Sequence, residues 1–158
     1  MGYILLALIL IFLAVILIRA ALFNPKKMQN IEAEKIELNE QKIISDMSDM
    51  IKCKTVSYRD NSLEDEAEFE KFRELLKERF PLIHSNSELK KIGRNGLLYK
   101  ISGEKSDSPS VCMAHYDVVP VNQEGWEKPA FEGIVENGFI WGRGTLDTKG
   151  TLCALMQA

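Results

Sequence analysis

Gly2 to Ile18 is seventeen residues without a single charge, dominated by Leu and Ile. No other stretch constrains the fold as much. A bilayer core needs roughly 20 apolar residues in helix, and continuing through Arg19 to Phe23 supplies them. Arg19 sits where a long side chain can snorkel to the headgroups. Asn24-Pro25 stops the helix, and Lys26 and Lys27 come next. A buried core helix is the weaker alternative, because the stretch is apolar on all sides. Residues 2–23 therefore read as a single-pass transmembrane anchor. The alternative is a cleaved signal peptide, against which stand the missing N-terminal basic residue and the long apolar run. The nearby positive charge lies after the helix, which by the positive-inside rule favours the cytoplasm for the C-terminal part of the chain, and free cysteines lean the same way; the side of the membrane stays open.

The remainder has room for one ordinary domain. Net charge is −3, with 20 Lys plus Arg against 23 Asp plus Glu, so the basic footprint of a nucleic-acid binder is missing. Cys53, Cys112 and Cys153 are odd in number and far apart, which excludes a disulfide scaffold and a Cys-rich zinc site. His84 and His115 are the only histidines.

Residues 28–54 read as helical, with Ile43, Met47, Met50 and Ile51 on one face. The earlier part of this segment, Gln29 to Glu40, is mostly charged and polar, and residues 24–40 read as a stalk or linker. Ser62 is placed as the N-cap of a second helix, whose stripe Phe69, Phe72, Leu75, Leu76 and Phe80 belongs to the core and which Pro81 ends. Strands are expected at Gly96–Ser102 and Ser110–Ala114. Two more, Phe131–Val135 and Phe139–Trp141, flank the hairpin dipeptide Asn137-Gly138. A helical pattern resumes near Thr148 and runs to Ala158 without a C-cap, from which an incomplete chain is expected. Mixed helices and strands mean an α/β domain.

Two clusters carry chemistry. In an extended segment residues i and i+2 point the same way, so His115 and Asp117 of His-Tyr-Asp can stand side by side. A carboxylate next to an imidazole fixes its tautomer and raises its basicity as a metal ligand. The bland reading is a surface histidine. The second cluster, Gly142 to Gly150, is not a phosphate loop: Lys149 precedes Gly150, and Asp147 stands where a dinucleotide fingerprint needs glycine. A carboxylate there suits a cation at a helix start, and its two oxygens can bridge two metals; its bland reading is a helix cap.

Together, His115-Tyr116-Asp117-Val118-Val119-Pro120-Val121, Gly125-Trp126, Pro129-Ala130-Phe131-Glu132-Gly133, Gly138, and Gly142-Arg143-Gly144 to Asp147-Thr148-Lys149-Gly150 resemble the dinuclear zinc hydrolases. This is the family of aminoacylase, acetylornithine deacetylase, succinyl-diaminopimelate desuccinylase and carboxypeptidase S. The Asp-Val-Val-Pro and Gly-Trp features are most similar to its carboxypeptidase S and N-acyl-amino-acid hydrolase branch. The resemblance covers Gln41 to the end.

The resemblance implies the N-terminal part, residues 41–158, of a zinc-exopeptidase-like catalytic domain, a mixed sheet flanked by helices. It implies His115 as ligand of one metal, Asp147 as a bridge between two, and Asp117 as the residue that orients His115. The metals would be two zinc ions, with cobalt or manganese possible. The reaction would be hydrolysis of a peptide or N-acyl amide bond near a free carboxylate, with a glutamate as general base. That glutamate, the remaining ligands, the lid with its carboxylate contacts and the dimerising surface are expected beyond Ala158. Residues 1–158 alone are then expected to bind metal weakly and to turn over nothing. The competing reading is a non-enzymatic, membrane-anchored remnant or interaction module, whose open sheet edges could pair with a partner.

Overall fold

An unbroken apolar segment has no polar side to turn to water, and Gly2–Leu22 forms one helix, α1, with every side chain exposed. The structure is a computed structural model that describes residues 2–24, 36–104 and 107–158. It falls into two units, Met1–Glu37 and Leu38–Ala158. At 21 residues, α1 is long and apolar enough to cross a membrane, a property that a signal sequence near an N-terminus shares. Most of the expected stalk lies outside the described residues; Ile36–Asn39 has no regular structure.

In the second unit, α2 (Glu40–Lys52) begins later than the expected helix over 28–54. Asn39 explains the start: its side chain accepts from the Lys42 amide at 3.1 Å, satisfying one of the donors a helix N-terminus leaves over. The inward face is the expected one, with Met47, Met50 and Ile51 buried and Ile43 packed against them.

The second helix, α3 (Glu66–Arg79), is capped by Asp65 rather than Ser62. The carboxylate of Asp65 accepts from Ala67 N at 3.0 Å. Ser62 instead sits in a single 3-10 turn, where its own amide and hydroxyl donate to Asp60. The aromatic stripe behaves as expected: Phe69, Phe72, Leu76 and Phe80 are buried. Pro81, which has no amide to offer the preceding turn, ends α3 and opens a short helix, α4 (Pro81–Asn86).

Two antiparallel hairpins come after α4. The strand expected at Gly96–Ser102 is β2 (Gly96–Lys100), paired with β1 (Glu88–Ile92) in the register Glu88 to Lys100 and Ile92 to Gly96. β1 escaped the sequence pattern because Glu-Leu-Lys-Lys-Ile buries none of its five residues. The second hairpin joins β3 (Ile134–Glu136) to β4 (Phe139–Trp141). Asn137 and Gly138 turn it with φ of 52° and 80°, the left-handed pair that a two-residue hairpin needs.

No mixed sheet forms among the described residues, only these two hairpins and one isolated parallel bridge between Val56 and Val118. The strand expected at Ser110–Ala114 is likewise not formed. Val111 and Met113 are 79% and 83% exposed, so neither a ladder nor a core face holds that segment. The last helix, α5 (Gly150–Gln157), is entered through an irregular turn, Thr145–Lys149.

The core joins α2, α3 and α5 around Tyr116. Burying each large apolar side chain stabilises the unit by about 1.5–3 kcal/mol. Two polar ties fix α2 against its surroundings. Ser48 donates to Gly133 O at 2.7 Å, and the buried Asp46, ion-paired with Lys42, accepts from Gln157 of α5.

Candidate metal centre

Tyr116 faces inward and its two neighbours face outward. Its ring stacks on Phe72 with centroids 4.9 Å apart, meets Phe69 edge-on, and its hydroxyl donates to the carbonyl of Asn95. Alternation along the chain then sends His115 and Asp117 to the opposite side. Val118 is held in turn by backbone bonds with residues 55 and 57: its amide donates to Thr55 O at 2.8 Å, and its carbonyl accepts from Ser57 N at 2.9 Å. The His-Tyr-Asp segment is thus pinned at its C-terminal flank without being part of a sheet.

The turn Thr145–Lys149 is held by three devices. Gly144 enters it at φ 87°, where a Cβ would lie 2.7 Å from Val118 Cγ1. Thr148 Oγ1 accepts from His115 N at 2.9 Å and donates to His115 O at 2.8 Å. Lys149, fully buried, donates its ammonium to Met50 O at 2.9 Å and Cys53 O at 2.7 Å, two carbonyls at the C-terminal end of α2 that each also accept a backbone amide. The same Nζ lies 5.1 Å from the Phe72 ring centre. Burial pushes the Lys149 pKa down to about 8.

These supports bring Asp147 to His115, with Asp147 Oδ1 2.9 Å from His115 Nε2. The expected placement of Asp147 at a helix N-terminus, whether for a metal or as a cap, does not hold. The turn intervenes, α5 has no side-chain cap, and Asp147 is 85% exposed in its side chain. On the other side of the ring, His115 Nδ1 lies 2.9 Å from the backbone carbonyl of Asp117 and 3.4 Å from its carboxylate. The Asp117 carboxylate takes its hydrogen bond from Ser57 Oγ at 2.7 Å.

A carbonyl only accepts, so Nδ1 carries its hydrogen and Nε2 is the nitrogen left to face Asp147. A bare Nε2 lone pair against a carboxylate would repel it; a proton or a cation between them reverses the sign. Partial burial lowers the pKa of His115. The bond to the Asp117 carbonyl, the Asp147 side chain and the two carboxylate charges outweigh it, leaving the net shift upward. The imidazole–carboxylate pair, with one tautomer fixed, suits one divalent ion as two of its protein ligands. Among the described residues no group of three or more His, Cys, Asp and Glu side chains converges as a metal site. The pair fits part of a zinc centre and not the whole.

The three residues singled out in the sequence, His115, Asp117 and Asp147, line one cleft of about 470 Å³ with Ser57, Trp126 and Arg143. Sequence reasoning gave no role to Ser57, Thr148 or Lys149. Thr148 and Lys149 lay inside the motif and their polarity was visible, but their partners are distant in sequence. Ser57 reaches Asp117 only through the Val56–Val118 bridge, for which no local pattern exists.

Residues 111–158, which contain all three, match the model of peptidase family M20/M25/M40. The N-fatty-acyl-amino acid synthase/hydrolase PM20D1 of Bos taurus is 39% identical over 111 residues, 68% of this chain and 22% of that protein. Carboxypeptidase S of Saccharomyces cerevisiae is 41% identical over 96 residues, 57% of this chain and 17% of that protein. PM20D1 of Xenopus tropicalis is 29% identical over 158 residues, 95% of this chain and 31% of that protein. This chain spans less than a third of the length of each of these relatives. It belongs to the M20/M25/M40 peptidase family.

Proposed function

We propose that this chain carries the N-terminal part of a membrane-anchored, metal-dependent hydrolase that cleaves peptide or N-acyl amide bonds near a free carboxylate. The relatives supply the reaction class: one is named a carboxypeptidase, others N-fatty-acyl-amino acid synthase/hydrolases. The observation that carries the reading is the 2.9 Å approach of His115 Nε2 to Asp147 Oδ1, with Nδ1 already committed to the Asp117 carbonyl.

In this reading His115 would hold one zinc ion through Nε2, and Asp147 would be shared between that ion and a second. Zinc, when bound, supplies Lewis acidity toward a scissile carbonyl. The protein's own contribution is orientation. The Asp117 carbonyl keeps the proton on Nδ1, and Thr148 fixes the backbone that carries the ring. Tyr116 prevents the segment from rotating by filling the core behind it. The apolar walls Phe139, Ile140 and Trp141 limit water on one side of the cleft. General base and remaining ligands come from residues other than these, so residues 1–158 alone hold metal weakly and do not turn over. α1 serves as the membrane anchor.

The test is zinc affinity of the full 158-residue chain by competition against a chromophoric chelator, with His115→Asn and Asp147→Asn beside it. Weak binding lost in both variants is expected. Equal binding by all three proteins overturns the assignment. Hydrolysis of N-acyl amino acids by these 158 residues, lost on chelation and restored by zinc, overturns their predicted inactivity.

A second reading has an observation of its own. With no three-ligand group among the described residues, the chain could act without chemistry, as an anchored interaction module. Unchanged thermal stability of wild type with and without zinc favours that reading; a zinc-dependent rise favours the hydrolase.

A further inference from the structure

The cleft holds a second charged group that the metal reading does not use. Among the described residues, Arg143 is the only Lys or Arg that lines it. Its guanidinium lies 5.0 Å from the Trp126 ring centre, and its buried Nε has no hydrogen-bond partner among the described residues. The two carboxylates of the cleft, Asp117 and Asp147, are paired with His115. The backbone of Arg143 is fixed, its amide donating to Ala130 O at 2.7 Å. Arg143 as a whole is half-buried, and its orphaned Nε is a costly donor to leave unpaired. The guanidinium makes no hydrogen bond among the described residues, which leaves its two terminal NH2 groups to take a carboxylate through two parallel N–H···O bonds.

We propose that Arg143, braced on Trp126, binds the free carboxylate of the substrate, and so selects N-acyl amino acids and peptide C-termini over their uncharged amides. The inference rests on the hydrolase reading and deepens it. It places a specificity-determining side chain within these 158 residues rather than leaving that task wholly to other parts of the protein. Asp147 and Arg143 are four residues apart on the same turn-bearing segment. The metal pair and the anion anchor therefore move together, and the distance between scissile bond and carboxylate is set by one piece of backbone.

The experiment uses the full chain in detergent micelles, first stripped with EDTA and then supplied with zinc. Trp126 and Trp141 are the only tryptophans and both line the cleft, so their fluorescence reports occupancy. The probes are N-acetyl-L-leucine and N-acetyl-L-leucine amide. The acid should bind about tenfold more tightly than the amide, as a charge-assisted pair requires. Arg143→Gln should abolish that preference and Arg143→Lys should restore part of it. His115→Asn, which loses the proposed zinc ligand, should keep it in EDTA. Equal affinity of wild type for acid and amide overturns the subsite, and needs no variant to fold. An acid preference unchanged in a folded Arg143→Gln protein overturns it as well. An acid preference that persists while zinc fails to bind supports the subsite and defeats the metal assignment, so the two ideas fail separately.

Discussion

The hydroxyl of Thr148 closes both backbone groups of His115, accepting from its amide at 2.9 Å and donating to its carbonyl at 2.8 Å. One side chain on the Asp147 turn therefore sets the height of the His115 segment across a separation of 33 residues. Thr148→Val keeps the shape and removes both bonds, with an expected cost of about 1–2 kcal/mol. Thr148→Ser keeps the hydroxyl and should stay near wild type. Hydrogen exchange at the His115 amide is the direct measurement. It should accelerate in the valine variant and not in the serine variant, and equal protection in the two would remove the clamp from the account.

Lys149 offers a pH-dependent test of the second tie. Its pKa falls to about 8 in the folded chain because burial penalises the ammonium. In the unfolded chain it returns to the ordinary lysine value near 10.4. Between those values the unfolded chain holds a proton that the folded chain has released, so the contribution of Lys149 to stability rises with pH across that window. Below pH 8 both states are charged and the burial penalty is undiminished. The neutral amine can still donate to Met50 O and Cys53 O, so deprotonation does not break the tie. Wild-type stability relative to Lys149→Met is expected to be flat from about pH 6 to 7.5. It should then climb by up to roughly 3 kcal/mol toward pH 10.5. The buried Cys153 thiol titrates in alkali in both proteins and cancels in the difference, whereas the Cys53 thiol is coupled to Lys149, so both proteins carry Cys53→Ala. Urea unfolding at a series of pH values measures it, and a gap that narrows with pH would contradict the assignment.

Legibility in the sequence tracked the range of the interaction. The faces of α2 and α3 could be read from Met47, Met50, Ile51, Phe69, Phe72 and Leu76, because helical spacing and burial agree there. The Asn137-Gly138 turn was equally plain, since few residues accept positive φ. Helix starts were harder. Asp65 and Ser62 are both good caps, and only the turn held by Asp60 decides between them. Strand reading failed at both ends of the scale. β1 exists without any buried face, while apolar Ser110–Ala114 has no ladder partner among the described residues. At the site, His115 and Asp147 stood out by type and position, and the structure brings them together. The parts that hold them, Ser57, Thr148 and Lys149, act over contacts of 33 to 99 residues that no local pattern encodes.

Gly144 tests whether the turn tolerates any side chain at its entrance. Its φ is 87°, and an added Cβ would sit 2.7 Å from Val118 Cγ1. Gly144→Ala combines a left-handed backbone with a clash against a residue that carries the Val56–Val118 bridge. A loss of about 1–3 kcal/mol is expected. Gly125→Ala, where nothing lies within 4 Å and φ is not positive, should stay within about 0.5 kcal/mol of wild type. Equal melting temperatures for the two variants would show that the entrance is not strained.

Phe72 is the packing counterpart of the same argument. It is fully buried and stacks on Tyr116 with an interplanar angle of 4°. Phe72→Ala should cost about 3–5 kcal/mol. Phe72→Leu, which refills much of the volume, should cost less and still fold. The ring of Tyr116 then loses its stacking partner while its hydroxyl keeps the Asn95 carbonyl. In the leucine variant zinc affinity should therefore fall further than in a control variant of equal measured stability loss at a position that does not contact Tyr116. Parallel losses would mean that Tyr116 contributes stability and not the placing of His115.

The role of Asp117 can be divided between its backbone and its side chain. His115 Nδ1 is 2.9 Å from the Asp117 carbonyl oxygen, while the carboxylate lies 3.4 Å away and is engaged by Ser57. If the carbonyl fixes the tautomer, Asp117→Asn removes a charge and leaves the ring where it is. The expected loss of zinc affinity is then about tenfold, the low end for a group behind a ligand. His115→Asn, which deletes the proposed ligand, should lose far more. Ser57→Ala frees the carboxylate to turn toward Nδ1 and should change zinc affinity by less than Asp117→Asn does. An Asp117→Asn loss as large as that of His115→Asn would assign the orienting role to the carboxylate instead.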